Sequence, residues 1–281
     1  MQFGISTHLY HQRLLGREHL LEIAEFGFRQ LELFATVGHF DYHDVAAADR
    51  LAGWLDEAGL RLHSVHAPIV EYLRGGTWGP PLSTAAADEQ ARLRAVTETI
   101  AAVNLASRLP YSYLVLHLGI PDPPSPGSDD NDAEAARRSL EEIAAAAAPL
   151  GVQLAVEVIP NRISEAEELV RFLEDDVELP SPGAGICLDL GHAFLMGDVA
   201  EAIETVSGHL VTTHVHDNKG KEDDHLVPPE GGIDWPLTLM SLQKVGYEGA
   251  IVFEVADTSS PRSVLQKTVE ARRRFERILV E

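Results

Sequence analysis

Eight short apolar runs separated by helical stretches constrain the fold of this 281-residue chain more than any other feature. They are Phe3-Gly4-Ile5-Ser6, Leu31-Glu32-Leu33-Phe34, Ser64-Val65-His66, Val115-Leu116-His117, Ala155-Val156-Glu157, Cys187-Leu188-Asp189, Val211-Thr212-Thr213-His214 and Val252-Phe253-Glu254. Short β-branched and apolar runs read as strands, and strands alternating with helices pair in parallel, because each crossover returns the chain to the same end of the sheet. Eight such units call for the α/β class and a closed TIM (β/α)8 barrel rather than an open sheet, here as a single domain over residues 1–281. Hydrophobic residues make up 45% of the chain and charged residues 23%, enough side chain for one continuous core.

The intervening stretches read as helices over residues 20–28 with a stop at Gly27, over 44–58 with a stop at Gly59, over 83–107 with Ser83 as cap, and over 133–148. Further helices are expected from Ser164, with Glu167 three residues on, over 199–207, over 237–245 and over 262–279. Residues 67–79 read as one long loop carrying Tyr72 and Trp78, either covering a pocket or packing within the loop. Residues 119–132 hold four prolines and two glycines and cannot form regular structure.

Six of the eight runs end in a histidine or an acid, at His66, His117, Glu157, Asp189, His214 and Glu254, and His192 lies just beyond Asp189. In a barrel of this kind functional residues gather at the carboxyl ends of the strands. The densest stretch is His214-Val215-His216-Asp217-Asn218-Lys219-Gly220-Lys221-Glu222-Asp223-Asp224-His225. Taken singly, a strand-end histidine is more often hydrogen-bonded than metallated, and a glutamate more often pairs with arginine. Together, converging carboxylates would repel one another and raise each other's pKa, and a divalent ion is the simplest neutralising agent. Oxygen and nitrogen donors of this type suit zinc, manganese, cobalt or iron. Glu32, a charge inside an apolar run, reads equally as an interior paired group and as a solvent-facing one.

The 44 acidic against 22 basic residues give a formal charge of −22, which repels nucleic acid and anionic membrane at long range. Arg13, Arg74, Lys219 and Lys221 are the few basic residues placed to oppose that. The lone Cys187 lies in an apolar run and reads as a small buried hydrophobe. With no basic-then-apolar leader and no run of membrane-spanning length, the expectation is a soluble, cytoplasmic protein.

The chain resembles the xylose-isomerase-like barrels, a superfamily of ketose epimerases, sugar isomerases and the endonuclease-IV type of apurinic-site nuclease. The residues that carry the resemblance are Val65-His66-Ala67-Pro68, Val156-Glu157, Leu188-Asp189-Leu190-Gly191-His192-Ala193-Phe194, His214-Val215-His216-Asp217, Asp223-Asp224-His225 and Phe253-Glu254. In the sugar-acting members the resemblance implies one divalent ion held by Glu157, Asp189, His214 and Glu254. The two glutamates also exchange a proton on opposite faces of the substrate carbon, and His192 contacts a substrate oxygen. In the nuclease members it implies three zinc ions. His66, His117 and a shared Glu157 hold the first, Glu157, Asp189, His214 and Glu254 the second, and His192, Asp223 and His225 the third.

Two features depart from the nuclease pattern: Ile69-Val70-Glu71-Tyr72 follows His66 in place of a tyrosine and asparagine pattern, and Pro229 stands where that pattern has glycine. The expected activity is therefore a divalent-metal-dependent isomerase or epimerase acting through an enediolate, with Glu157, Glu254 and His192 as catalytic residues. A zinc-dependent phosphodiester hydrolase comes second and a non-catalytic metal-binding scaffold third. The expected partner is a small sugar or polyol, contacted by His192, Lys219, Lys221, Tyr72 and Trp78, with weak binding of nucleic acid.

Overall fold

A computed structural model describes residues 1–122, 129–256 and 260–280. The eight apolar runs form β1 (Gln2–Ser6), β2 (Gln30–Phe34), β3 (Arg61–His66), β4 (Tyr113–Leu116), β5 (Gln153–Glu157), β6 (Ala184–Asp189), β7 (Leu210–Val215) and β8 (Ala250–Phe253). They pair in parallel in sequence order, and β8 closes on β1. This is the closed α/β barrel that the alternation of runs calls for.

Strand parity sorts the layers. Leu114, Leu116, Leu154, Val156, Ile186 and Leu188 belong to the main apolar core, whereas Val115, Ala155 and Cys187 form a separate small cluster. Side chains two apart share a face of a strand, so His117, Glu157 and Asp189 stand above that cluster on the interior face. The register places Asp189 opposite His214 and Val252 opposite His214 on its other side, which brings β6, β7 and β8 to one level. Burial pushes the Cys187 thiol up and leaves it a buried hydrophobe rather than a nucleophile.

Nine α-helices are present among the described residues: α1 (Arg17–Glu25), α2 (Val45–Ala58), α3 (Glu89–Val103), α4 (Ala133–Ala147), α5 (Ala166–Arg171), α6 (Leu190–Met196), α7 (Val199–Val206), α8 (Trp235–Lys244) and α9 (Pro261–Ile278). Helix α2 is delimited by its own residues: the Asp44 side chain accepts from the Ala46 amide, and Gly59 ends it at φ 64°.

Two expected caps fail for a common reason. Helix α3 starts at Asp88, whose side chain accepts from the Ala91 amide, while the Ser83 hydroxyl donates to the Asp130 carbonyl. Helix α5 follows Glu165, because the buried Ser164 hydroxyl donates to the Leu118 carbonyl at 2.9 Å. In both places the hydroxyl donates to a carbonyl of the segment between β4 and α4, which anchors the serine ahead of its helix, and Ser83 Oγ accepts from Ala85 rather than from an amide of α3. Helix α6 was not anticipated, and it begins directly at the end of β6 with Asp189 as its cap.

The stretch after β3 is not one loop. Leu73–Arg74 pairs antiparallel with Thr77–Trp78 across Gly75 and Gly76, both at positive φ, the two-residue turn chemistry that a hairpin uses. Of the proline-rich stretch 119–132, residues 123–128 lie outside the described residues. Its two ends are tied together by Asn131, whose side chain accepts from the Ile120 amide and donates to Asp122. No helix among the described residues is long and apolar enough to cross a membrane.

Candidate metal centre at the barrel mouth

Four strands each deliver one buried donor to a common point. The ligand-type atoms of Glu157, Asp189, His214 and Glu254 lie within 4.8 Å of one another. His214 Nδ1 is 3.3 Å from Glu254 Oε2, 3.5 Å from Glu157 Oε1 and 3.9 Å from Asp189 Oδ2. Asp189 is oriented by the helix it starts, since Oδ1 accepts from the His192 amide at 2.7 Å and Oδ2 is left facing the cluster.

The electronic state of His214 follows from the residue behind it. Its Nε2 donates to Glu32 Oε2 at 3.0 Å, and the same oxygen accepts from the Ser64 hydroxyl at 2.7 Å. A ring that donates from Nε2 presents a lone pair at Nδ1, the arrangement in which a carboxylate orients a metal-binding imidazole. Glu32 is thus an interior paired group, fully buried at 0% exposure, and the solvent-facing reading is excluded.

Whether the donor set fits a cation can be tested on unsatisfied atoms. Buried polar atoms without partners are rare because each forfeits its hydration, yet both Asp189 Oδ2 and His214 Nδ1 lack a hydrogen bond, and both belong to the same four-residue cluster. Three carboxylates and one imidazole lone pair facing one point fit a divalent ion of the zinc, manganese, cobalt or iron kind. With no cation present, a proton on His214 takes the place of that positive charge. Burial pushes His214 down, but Cys187, Glu32, Glu254 and Glu157 outweigh it and raise the ring well above its usual value.

Two further groups flank this centre. Glu157 Oε2 stands 3.2 Å from Nε2 of both His66 and His117. Burial opposes charge on His66, but Glu157 raises it to about 9; burial, reinforced by the charged His66, keeps His117 low. On the other side, Asp223 Oδ2 lies 3.2 Å from His192 Nε2 and 3.1 Å from His225 Nε2. Burial works against that carboxylate, yet His225 and His192 hold it well below the usual range. His66, His192 and His225 each bring Nδ1 to a main-chain carbonyl, of Ala67 at 2.8 Å, Val158 at 3.2 Å and Glu254 at 2.7 Å. That common anchor makes Nδ1 the donor to the main chain in all three and turns Nε2 toward the carboxylates, where a bound cation would displace its proton. His225 has φ 46°, the only non-glycine residue among those described in the left-handed region, which is strain located at the site.

A cavity of about 510 Å³ opens over these groups. Glu157, Glu254, His66, His117, His192, Asp223 and His225 reach it, while Asp189 and His214 lie beneath. The opposite wall is made of rings: His8 stacks on His11 at 4.7 Å, Phe34 meets His8 edge-on at 5.0 Å, and Trp78 leans on His11 at 5.5 Å. No Lys or Arg lines the cavity among the described residues.

Three of the five residues expected to contact substrate are not in that lining. Lys219 and Lys221 are exposed, beyond a turn at Gly220, and Tyr72 turns its ring to the Arg74 guanidinium at 4.9 Å. His192 and Trp78 do reach the cavity. Residues of the site that the strand-end pattern did not single out are Glu32, His216, His8, His11 and Phe34. His8 lies two residues beyond β1, as His192 and His216 lie three and one beyond β6 and β7, and a histidine just past a strand end is the signal they share.

Among known proteins, the chain is 30% identical over 142 residues to an uncharacterized protein of Methanocaldococcus jannaschii, a match that spans about half of each (47%). It is 23% identical, over 100% of its length and 99% of the relative's, to fructoselysine 3-epimerase of Shigella flexneri. The solved structure of a D-tagatose 3-epimerase-like protein superposes with a TM-score of 0.81 at 25% identity, covering 100% of this chain and 98% of that one. Residues 20–276 match the family model, and the chain belongs to the xylose isomerase-like TIM barrel family.

Proposed function

We propose that the protein is a divalent-metal-dependent sugar isomerase or epimerase, with Glu157, Asp189, His214 and Glu254 holding the ion. The observation that carries this reading is the cluster of four buried donors with two unsatisfied atoms turned inward and Glu32 fixing the imidazole from behind. Similarity to a fructoselysine 3-epimerase and to a D-tagatose 3-epimerase-like protein supports the substrate class. When bound, the ion supplies Lewis-acid polarisation of a carbonyl and stabilises the negative charge that develops when a neighbouring carbon loses its proton.

The acid–base assignment follows from position. Of the four proposed ligands, Glu157 and Glu254 reach the cavity and Asp189 and His214 do not, which assigns the exchange of a proton with a substrate carbon to the two glutamates. One glutamate takes the proton at a carboxylate oxygen and the other returns it. Return to the opposite face epimerises the carbon, and return to the adjacent carbon isomerises the sugar. His192, held by the Val158 carbonyl, orients a substrate oxygen, and the His8, His11, Phe34 and Trp78 wall excludes water.

The test is hydrogen exchange. Incubated with ketoses in deuterated water, the metallated enzyme incorporates deuterium next to the carbonyl, and Glu254→Gln loses the label while some metal stays bound. No exchange across a broad sugar panel, in protein shown to be fully metallated, refutes the reading. A second reading, hydrolysis of a phosphodiester, is favoured by one observation, the presence of the His66–His117 and His192–Asp223–His225 groups around the centre. Against it stands the cavity's lack of Lys and Arg, which leaves a polyanion only the bound ions to hold. Incision of abasic duplex DNA at catalytic enzyme concentrations would reverse the order of the two.

A further inference from the structure

His216 is the least satisfied group in the site, and it lies outside the nine positions that the family resemblance implies as ligands. It follows His214 at the end of β7 by two residues, so both rings project to the same face. The ring is fully buried, at 0% exposure, and neither of its nitrogens makes a hydrogen bond. It also differs from His66, His192 and His225 in having no main-chain carbonyl to hold Nδ1. A buried imidazole whose Nδ1 has no partner and whose Nε2 meets only carboxylate oxygens is costly, so this position needs another explanation.

The surroundings supply one. His216 Nε2 stands 3.0 Å from Asp189 Oδ1, out of hydrogen-bonding line, and 3.5 Å from Asp223 Oδ1. Its ring stacks on His225 at 4.1 Å and meets His192 edge-on at 5.6 Å. Ligand-type atoms of His216, Asp223 and His225 lie within 4.8 Å of one another, as do those of Asp189, His192 and His216. Room for the ring is made in α6: a Cβ on Gly191 would sit 2.0 Å from the His216 ring. Asn218 donates to the Gly191 carbonyl at 2.8 Å and holds the two segments at that distance.

We propose that His216 is itself a metal ligand, holding with Asp223 and His225 a divalent cation beside the central one, to which His192, 3.2 Å from Asp223 Oδ2, adds a fourth donor when the cation binds. The inference rests on the reading that the barrel mouth binds divalent ions, and is independent of which reaction the central ion serves. Its consequence is functional. Sites with four protein donors are closed, whereas an ion that activates water or binds substrate keeps a position open. The flanking cation therefore neutralises and holds the His214–His225 segment, and Asp223 and His225 are spent on structure.

The experiment substitutes cobalt for zinc in chelator-stripped protein and counts bound equivalents. His216→Ala should weaken the flanking equivalent by about a hundred-fold, at the upper end of the range for groups supporting a metal, while the central equivalent and the near-ultraviolet circular dichroism stay as in wild type. His216→Cys should retain the flanking cobalt and add a thiolate-to-cobalt charge-transfer band, for which wild type, with only the buried Cys187, is the blank. Gly191→Ala should displace the ring and lose the same equivalent, with no further loss when combined with His216→Ala. An unchanged cobalt count and spectrum in His216→Ala overturns the proposal. Absence of the thiolate band in a folded, cobalt-loaded His216→Cys protein overturns it as well. Loss of the central equivalent in place of the flanking one would show that His216 positions Asp189 instead. Failure of the folded wild-type protein to take up any cobalt would overturn metal binding at the barrel mouth altogether, and this proposal with it.

Discussion

The two halves of the barrel mouth treat the same side chain in opposite ways. Around β1 and β2, burial lowers His8 well below its usual value, with His225, His11 and His66 adding to the effect, and burial takes His39 down to about 4. Around β6 to β8, His192 and His214 rise well above the usual value and His225 rises to about 9, because neighbouring carboxylates overcome the same burial. The carboxylates that reach the cavity come from the ends of β5 and β8 and from the segment after β7, whereas β1, β2 and the hairpin after β3 contribute rings. Glu32 is the exception that explains the rule: it belongs to β2, yet it lies below the cavity and serves His214 across the barrel. Charge is thus concentrated where a cation can be held, and the facing wall is left neutral and apolar, suited to a substrate and unable to compete for the ion.

The largest expected effect breaks the charged half. Asp189→Asn or Glu157→Gln should remove the central ion from protein purified without chelator, as read by elemental analysis. Unchanged metal content in both would refute the ligand assignment. Next comes the neutral half, through His39. The folded ring stays unprotonated until about pH 4, while in the unfolded chain it takes up a proton near 6.5, so protons favour unfolding in between. Its contribution is complete above pH 6.5 and is lost as the pH falls to 4, about 3 kcal/mol at 1.36 kcal/mol per pH unit. His39→Gln should flatten the dependence of unfolding free energy on pH across that window relative to wild type; parallel curves would show that the ring is not held neutral. His11 and His19 press in the same direction, and the Arg13 carbonyl, 2.7 Å from Nδ1, opposes them.

A smaller effect tests the crossing point between the halves. Glu32→Gln leaves every proposed ligand in place but removes the charge behind His214, and such supporting groups typically change metal affinity by about 10–100-fold. Competition with a chromophoric chelator measures this directly. Affinity unchanged in Glu32→Gln would mean that the imidazole is fixed by packing alone.

Glu32 also marks the limit of what could be read from sequence. The barrel was legible because strand periodicity is local, and the interior placement of His117, Glu157 and Asp189 follows from parity alone. Glu32 admitted two readings until its partner, 182 residues away, was known. Ser83 and Ser164 carry genuine cap chemistry, but their hydroxyls are anchored on the carbonyls of Asp130 and Leu118, distant partners that no local pattern shows. Lys219 and Lys221 lie close in sequence to His214, but the turn at Gly220 sends them to solvent, a direction that spacing does not encode. The hairpin was legible in Gly75-Gly76 and was passed over because its strands are only two residues long.

The smallest predicted effect distinguishes the wall from the centre. Trp78 is 42% exposed, lines the cavity and packs on His11 and Phe34, so it contributes binding surface on the wall that faces the proton-transfer groups. An interaction made equally with substrate and transition state raises KM when removed and leaves kcat alone. Trp78→Ala should therefore raise KM by about ten-fold, the order of 1.4 kcal/mol of lost binding, with kcat and metal content unchanged. The double variant Lys219→Ala, Lys221→Ala is the control, because those side chains lie outside the cavity and should change neither constant. A fall in kcat for Trp78→Ala at full metal occupancy would place the ring wall in the chemistry itself. An increase in KM for the lysine pair would mean that the 214–225 segment folds over the mouth when substrate binds, and that the neutral wall has a charged counterpart in the closed enzyme.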